Sequence, residues 1–181
     1  NYSQSVNGYA IASNGYNHTN LQNCNITQGS NARTNSYAVY FQRGFNSTYT
    51  NNKIITYGST TSSARNYNVF LVNYKNNTLS NSFLSASGRD SYGIYLSNSA
   101  NNTIYMNNVS TSGSGSYGIF IFGAGSIANN LTSNNVTTYG PSVLGGISLS
   151  TNTIHNLIIG NNVTIKGGSS YGIYLLSGSK N

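Results

Sequence analysis

Apolar residues in this chain recur in one short phrase that is repeated at nearly even intervals. The phrase reads Tyr-Gly-Ile-Tyr-Leu at Tyr92–Leu96 and at Tyr171–Leu175, and Tyr-Gly-Ile-Phe-Ile at Tyr117–Ile121. Weaker copies begin at Tyr9, Tyr37, Tyr67 and Gly145, so that successive copies start 28, 30, 25, 25, 28 and 26 residues apart. A period in this range predicts a solenoid, in which each repeat buries its apolar face against its neighbours.

Each repeat contains two apolar stretches with the period of a β-strand. In the repeat that begins at Tyr92, Ile94 and Leu96 alternate with other residues and are expected to point inward. A second stretch carries Ile104 and Val109, five residues apart. The same step recurs at Leu21 and Ile26, Leu79 and Leu84, Leu131 and Val136, and Ile158 and Val163. We therefore expect two inward-facing strands or more in every repeat.

The short repeat predicts an all-β solenoid. A repeat of this length is too short for a strand followed by an amphipathic helix, so each coil is interpreted as two or three short strands, although Lys53–Thr61 fits the pattern less well. The sequence segments over residues 92–109 resemble the right-handed parallel β-helix repeat of pectate-lyase-like proteins and of NosD-like archaeal surface proteins. The resemblance implies a parallel β-helix of about six to seven coils. We expect residues 1–181 to form a single β-helix domain with incomplete coils at both ends.

Asparagine has two uses in such a stack. Its amide both donates and accepts, so an identical residue in the next coil can continue a hydrogen-bonded ladder. It also tolerates the left-handed backbone that tight corners need. The candidate ladder comprises the Asn residues that directly precede an inward Ile or Val: Asn25, Asn108, Asn135 and Asn162.

Charge is scarce and one-sided in this chain. Eight Lys and Arg residues face a single acid, Asp90, which gives a net charge of +7. The cations are scattered rather than clustered, which argues against nucleic acid as a partner. A surface almost free of carboxylates resists acid, and the composition resembles that of surface proteins from thermoacidophilic archaea and their viruses. We therefore expect an extracellular protein, and no apolar run is long enough to span a membrane.

The same shortage of acids limits the chemistry that is open to the chain. Enzymes with the resembled fold commonly cleave acidic polysaccharides with several carboxylates, often with calcium. Glycoside hydrolysis usually needs two carboxyl groups, and a carboxylate calcium site needs several. His18, His155 and Cys24 could in principle bind a metal or form a nucleophile pair, but His155 lies about five coils from the other two, so the three cannot converge. They are interpreted as polar surface or corner residues. A lyase with a lone basic residue stays conceivable, but we expect a protein that is not an enzyme and has no cofactor.

Candidate N-glycosylation sites are those that fall at expected corners. Sequons are numerous in this chain, but its Asn, Ser and Thr content produces most of them by chance. Exposed corners are the better candidates, and they are Asn17, Asn46, Asn76 and Asn101.

Aromatic residues form the most suggestive surface feature. If Ile94 and Leu96 point inward, Tyr95 points outward, and its equivalents are Tyr40, Phe70, Phe120 and Tyr174, with Ala12 and Ser148 completing the column. The stripe could be simple ring stacking along the sheet, a contact with another subunit, or a platform for sugar rings. A second column at the start of the strand is interpreted as corner packing; its members are Tyr9, Tyr37, Tyr67, Tyr92, Tyr117 and Tyr171.

The ends of the predicted rod suggest a role. Terminal coils of a β-helix expose unpaired backbone and core, and neither end of this chain offers an amphipathic helix as a cap. We expect copies to stack head to tail, which gives an open-ended filament. Two alternatives remain: the shaft or adhesin of a trimeric viral fibre or spike that binds host-surface glycans, and a monomeric carbohydrate-binding module. The expected partners are thus copies of the chain, as a homopolymer or a homotrimer, and cell-surface glycans.

Overall fold

The computed structural model describes residues 8–29, 35–59, 65–142, 144–177 and 179–181. Within this part the chain forms only strands, turns and bends. In chain order the strands are β1 (Gly8–Asn14), β2 (Asn20–Gln22), β3 (Asn25–Gly29), β4 (Ser36–Gln42), β5 (Thr48–Thr50), β6 (Lys53–Tyr57), β7 (Asn66–Val72), β8 (Thr78–Ser80), β9 (Phe83–Ser87), β10 (Ser91–Ser97), β11 (Thr103–Tyr105), β12 (Asn108–Ser112), β13 (Tyr117–Phe122), β14 (Asn130–Thr132), β15 (Asn135–Gly140), β16 (Gly145–Ser150), β17 (Leu157–Ile159), β18 (Asn162–Gly167) and β19 (Ile173–Leu176).

The strands build three parallel sheets that run along the stack. Every third strand belongs to the same sheet: β1, β4, β7, β10, β13, β16 and β19 form the first, β2 to β17 the second, and β3 to β18 the third. Repeats pair in register, with Ile94 opposite Val69 on one side and opposite Ile119 on the other. The predicted parallel β-helix is therefore confirmed, with about six turns and three strands in each turn.

Inward columns of apolar residues fill the stack. Ile94, Leu96, Ile104 and Val109 are all buried, as the alternation predicted. The stretch 53–61 follows the same plan where it is described, because β6 places Ile54 in the column of Leu84. The repeat pattern looked irregular in this coil because Tyr49 occupies the position that Leu79 has in β8. Its ring is buried against Phe41, at 5.0 Å between centroids.

Neighbouring valine side chains leave no room for a Cβ atom at the glycine of the repeated phrase. A Cβ atom at Gly93 would lie 2.2 Å from Val109 Cγ1, and one at Gly118 would lie 2.3 Å from Val136 Cγ1. Both distances are far below van der Waals contact, so a side chain does not fit there. The third coil has Asn68 at this position, whose Nδ2 donates to the Ile54 carbonyl and whose Oδ1 accepts from Thr56 Oγ1.

Corners between the strands use left-handed backbone. Among the described residues, half of the non-glycine residues with positive φ are asparagines: Asn23, Asn46, Asn51, Asn73, Asn76, Asn81, Asn98, Asn101 and Asn152. Asparagine adopts this conformation at lower cost than most residues. The high Asn content of the chain is therefore partly a requirement of its many corners.

Two further sets of Asn form ladders inside the stack, at positions outside the predicted ladder. In the first ladder, Asn102 Nδ2 donates to Asn129 Oδ1 at 2.9 Å, and the pattern continues through Asn77, Asn156 and Asn181. In the second, Asn107 Nδ2 donates to Asn134 Oδ1 at 3.0 Å, and Asn134 to Asn161. A ladder oxygen also accepts the backbone N–H of the ladder position one coil earlier, as Asn129 Oδ1 does from Asn102 and Asn134 Oδ1 from Asn107, which links neighbouring coils twice.

The predicted ladder lies on the outer surface of the stack, and it contains fewer residues than expected. Asn108, Asn135 and Asn162 do bond to each other, at 3.4 and 3.2 Å, but on the exposed outer surface. The ladder does not extend to Asn25, because the neighbour of Asn25 in the next coil is Lys53. The physical reason is the strand period: a residue directly before an inward residue faces outward, whereas the residue two positions before it faces inward. The interior ladders sit at that second position.

Candidate functional site

The most distinctive surface of the described chain lies on the outer side of the first sheet. Strand register places the predicted stripe in one column, which we call the outer column: Ala12, Tyr40, Phe70, Tyr95, Phe120, Ser148 and Tyr174. A second column, here the tyrosine column, runs beside it: Tyr9, Tyr37, Tyr67, Tyr92, Tyr117 and Tyr171, with Gly145 between the last two. The stripe therefore exists as a geometric feature.

The tyrosine column packs against the outer column, whereas the sequence suggested corner packing. Tyr67 lies 4.9 Å from Phe70, and Tyr117 lies 4.4 Å from Phe120, measured between ring centroids. Tyr67 is consequently only 3% exposed. The two columns together form an external aromatic cluster, separate from the interior core, which leaves the outer column half-buried.

A break in the strand alternation brings the two columns to the same side. In β4, Ala38 and Val39 are adjacent and both belong to the interior core, whereas Tyr37 and Tyr40 both lie in the external cluster. Two adjacent inward residues are a local departure from the alternating pleat, as at a β-bulge. The recurring three-residue spacing of the aromatic residues was the sequence signal that could have revealed it.

The rings stack along the axis of the β-helix. Tyr37 and Tyr67 are 4.8 Å apart and 4° from parallel, and Tyr67 and Tyr92 are 4.8 Å apart and 13° from parallel. This spacing equals the distance between neighbouring strands of a sheet. In the middle of the stack both faces of each ring are therefore covered by other rings, and ring edges remain for solvent. Ring faces are accessible only where a column is interrupted or ends.

One interruption is at Ala12, in the first described coil. The missing ring leaves an open depression of about 290 Å³, lined by Tyr9, Ala12, Ser13, Asn14, Tyr40 and Gln42. The Tyr40 ring departs from the parallel stack and is inclined by 65° to Phe70. Its hydroxyl donates to Gln42 Oε1 at 3.2 Å.

The other interruption is at Gly145 and Ser148, where both columns lose their ring. Ser148 is nevertheless only 2% exposed, and its Oγ has no hydrogen-bond partner among the described residues. Beyond the gap, Tyr171 and Tyr174 stack on each other at 4.4 Å. This second interruption is closed to solvent, in contrast to the depression at Ala12.

Burial controls the electrostatics of the aromatic cluster. Desolvation by burial raises the pKa of Tyr67 and Tyr92, and the Arg65 guanidinium beside them opposes that rise in part. Burial likewise raises the pKa of Tyr95 and Tyr117. The hydroxyls therefore stay neutral at physiological pH. The external aromatic cluster, called the aromatic wall below, thus presents ring edges and neutral hydroxyls to its surroundings.

The candidate glycosylation residues all lie at the surface. Asn46, Asn76 and Asn101 are exposed and have the left-handed backbone of a corner. They occupy consecutive coils, because the Asn46 N–H donates to the Lys75 carbonyl and the Asn76 N–H to the Ala100 carbonyl. Asn17 is also exposed, and its Oδ1 accepts from the Phe45 N–H at 3.1 Å.

Metal-ligating side chains do not converge in the described part of the chain. No group of three or more His, Cys, Asp or Glu residues occurs there that could hold a metal ion. His18 and His155 lie at corners of the same column but are separated by the corners of the intervening coils, at Asn46, Asn76, Asn101 and Ala128. The thiol of Cys24 donates to the Gln22 carbonyl at 3.3 Å. The same part of the chain holds no helix that is long and apolar enough to cross a membrane.

Comparison with known proteins identifies the family. The family model described as "Periplasmic copper-binding protein (NosD)" matches residues 1–181. The chain therefore belongs to the NosD family, a right-handed β-helix family, in agreement with the repeat pattern and the three parallel sheets. No curated protein and no solved structure matches the chain.

Proposed function

From this family membership and the geometry of the stack, we propose that the chain is a non-catalytic structural β-helix of an extracellular surface that assembles end to end with copies of itself. The family description places its proteins in the periplasm, outside the cytoplasm. A scarcity of acids suits such a setting, since few carboxylates can be protonated and lose their contacts.

Assembly through the ends is supported by an uncovered core column at the last described coil. Ile173 and Leu175 continue the columns of Ile147 and Leu149, which are fully buried. In β19, however, these two side chains are 52% and 49% exposed. Apolar side chains in a core register are stabilised by burial, at about 25 cal/mol for each Å² removed from water. A further coil packed on β19 would provide that burial, and the proposal assigns this coil to a second copy.

The opposite end of the rod offers a matching surface. Ile11, Leu21 and Ile26 stand in the inward columns of β1, β2 and β3, which are edge strands of the same three sheets. A second copy can therefore place its first coil on the last coil of the first copy, with parallel pairing and like columns. Such a contact uses different surfaces on the two partners, so it does not close and generates a filament.

A non-catalytic role is supported by the inventory of acids. Asp90 is the single acid of the sequence, and it lies 3.9 Å from Arg89 Nε. Hydrolysis of glycosides usually needs an acid and a second carboxylate facing it. The aromatic wall also lacks a His, Cys or acidic side chain in either of its columns.

Copper, named in the family description, does not fit the described residues of this chain. Copper sites use imidazole, thiolate and thioether ligands that are brought together on one ion. The described chain brings together no three such side chains from His and Cys, and its two histidines stand in distant coils. The proposal therefore assigns no metal to this chain.

A pair of double variants tests the proposed assembly. Ile173→Ser with Leu175→Ser removes the uncovered core column, and Leu157→Ser with Ile159→Ser is the control, because those side chains are 48% and 51% exposed but face outward from β17. Circular dichroism first establishes that both variants keep the β-fold. Analytical ultracentrifugation should then show that the first variant is monomeric and the control still polymerises.

The control variant also tests the trimeric spike. Lateral association of three rods would use outward residues such as Leu157 and Ile159, so loss of association in that variant alone would overturn the end-to-end proposal. The middle of the aromatic wall gives a lateral partner only ring edges, which favours the ends over the sides. Polymers that persist in the Ile173 and Leu175 variant would equally contradict the proposal.

A further inference from the structure

The depression at Ala12 differs from the rest of the aromatic wall because it is open at the surface. In the middle of the wall, rings cover one another at the coil spacing. At Ala12 a ring is missing, and the space of about 290 Å³ is open at the surface. Small-molecule sites are concave, with apolar walls and a few polar groups that fix orientation. The depression is at the small end of that class.

Two aromatic rings form its apolar wall. Tyr9 stacks on Tyr37 at 5.0 Å through one face and is 44% exposed. Tyr40 is inclined by 45° to Tyr9 and by 63° to Tyr37, so it is not in parallel contact with either of them. Ala12 lines the depression together with these two rings. The wall is thus shaped for a small flat object with an apolar face.

Neutral polar side chains complete the lining. Asn14 and Gln42 each carry an amide that donates and accepts. The Tyr40 hydroxyl donates to Gln42 Oε1, which ties the polar rim to the aromatic wall. Among the residues that the structure describes, no Lys, Arg, His, Asp or Glu lines the depression. The chemistry selects a neutral ligand with an apolar face and several hydroxyls.

A pyranose ring has this chemistry, since its axial C–H groups present an apolar face and its hydroxyls surround the rim. We propose that the Ala12 depression is a subsite for one neutral pyranose residue of an external glycan. Tyr9 and Tyr40 pack against the apolar face of the sugar, and Asn14 and Gln42 bond its hydroxyls. The subsite lies on the outer side of the first sheet but in the edge strand β1, so the proposed end-to-end assembly would bring Tyr174 of another copy beside it.

Saturation-transfer NMR with the methyl glycosides of glucose, galactose, mannose and N-acetylglucosamine tests the subsite on the full chain. At least one of them should bind weakly, with a dissociation constant of about 1 mM. The Ala12→Tyr variant, which supplies the missing ring, should lose binding at least tenfold. Tyr9→Ala and Gln42→Ala should each weaken it several-fold.

Two matched controls separate the subsite from general effects of the same substitutions. Tyr16→Ala removes a tyrosine that is 70% exposed and Gln22→Ala an exposed glutamine, and neither side chain lines the depression. Both should bind sugar as the unmodified chain does.

Three results would overturn the subsite: no glycoside binds, binding survives Ala12→Tyr, or Ala12→Tyr alters only filament formation. The last result would mean that a second copy fills the depression, for example through its own Tyr174. Repeating the titration on the monomeric Ile173 and Leu175 variant distinguishes failure of the subsite from failure of the assembly.

Discussion

The inside and the outside of this β-helix both carry columns of like side chains, but the two kinds of column tolerate interruption differently. In the interior, one ladder continues through consecutive coils at Asn77, Asn102, Asn129, Asn156 and Asn181. Where Ser82 interrupts the other ladder between Asn52 and Asn107, its hydroxyl still accepts the Asn52 N–H and its own N–H still donates to Asn107 Oδ1. On the outer face, the aromatic columns lack a ring at Ala12 and again at Gly145 and Ser148. The difference follows from the forces involved.

An amide in the interior ladder is bonded on both sides, so its removal leaves buried partners unsatisfied. A ring in the outer wall is held by stacking and by loss of exposed apolar surface, neither of which is directional to the same degree. Its absence costs contact area but leaves no polar group unpaired. Gaps can therefore persist on the outside, and the gap at Ala12 is the place where we infer binding.

The largest expected effect comes from breaking an interior ladder. Asn102→Ala deprives Asn77 of the acceptor for its N–H and its Nδ2, and leaves the Tyr74 carbonyl without the Asn102 amide. With about 1–3 kcal/mol for each buried polar group that loses its partner, we expect a loss of about 4 kcal/mol in the free energy of unfolding. Asn135→Ala, in the exposed ladder, should change it by about 0.5 kcal/mol or less. Urea unfolding measures both, and equal effects would contradict the contrast.

A smaller loss is expected from the middle of the aromatic wall. Tyr67→Ala removes a ring that stacks on Tyr37, Phe70 and Tyr92. Truncation of a large buried aromatic typically costs about 3 kcal/mol, and we expect about that loss without any loss of the far-ultraviolet β-signal. Tyr16→Ala serves as the exposed reference and should be close to neutral. A neutral Tyr67→Ala would mean that the wall contributes nothing to the fold.

The folded chain should lose stability at high pH but not at low pH. Burial raises the pKa of Tyr37, Tyr40, Tyr67, Tyr92 and Tyr95 in the folded chain, whereas tyrosine titrates near 10 when unfolded. The folded state therefore holds protons that the unfolded state loses above about pH 10. The contribution is complete below that pH and falls as the pH rises towards the folded pKa values.

Thermal unfolding followed by circular dichroism measures this dependence. The midpoint should fall above about pH 10 and change little between about pH 3 and pH 9, because the chain has only one acid to protonate. A steep loss of stability in acid would contradict this part of the account.

The smallest predicted effects compare two threonines in one interior column. Thr111 Oγ1 is buried with no partner among the described residues, so Thr111→Val should raise the free energy of unfolding by about 1 kcal/mol. Thr56 Oγ1 donates to Asn68 Oδ1 at 2.7 Å, so Thr56→Val should lower it by about 1 kcal/mol or more. Chemical unfolding of the two variants side by side checks the opposite signs. Changes of the same sign would show that bonding of the hydroxyl does not decide the outcome.

Much of the fold could be predicted from the sequence, because strand period and repeat length are local properties. The inward positions of Ile94, Leu96, Ile104 and Val109 follow from alternation alone. The break at Ala38 and Val39 could not be predicted from alternation, since it violates that rule, and so the tyrosine column was misplaced at a corner. The interior ladders were missed although the strand period already indicates them.

The candidate site was only partly predictable. The outer column could be predicted from the register between repeats. Whether other rings cover a ring face depends on ring orientation, which the sequence pattern does not indicate. Whether the gap is open, as at Ala12, or closed, as at Ser148, depends on the orientation of the neighbouring rings. Both positions look alike in the sequence, as small residues in an aromatic column.

Electron cryo-microscopy of the purified chain tests the proposed function most directly. End-to-end stacking predicts unbranched filaments one β-helix wide, in which strands repeat every ~4.8 Å through each junction between copies. The junction should bring Ile173 and Leu175 of one copy against the first coil of the next. Discrete trimers that meet along the aromatic wall, or monomers alone at high concentration, would contradict the account.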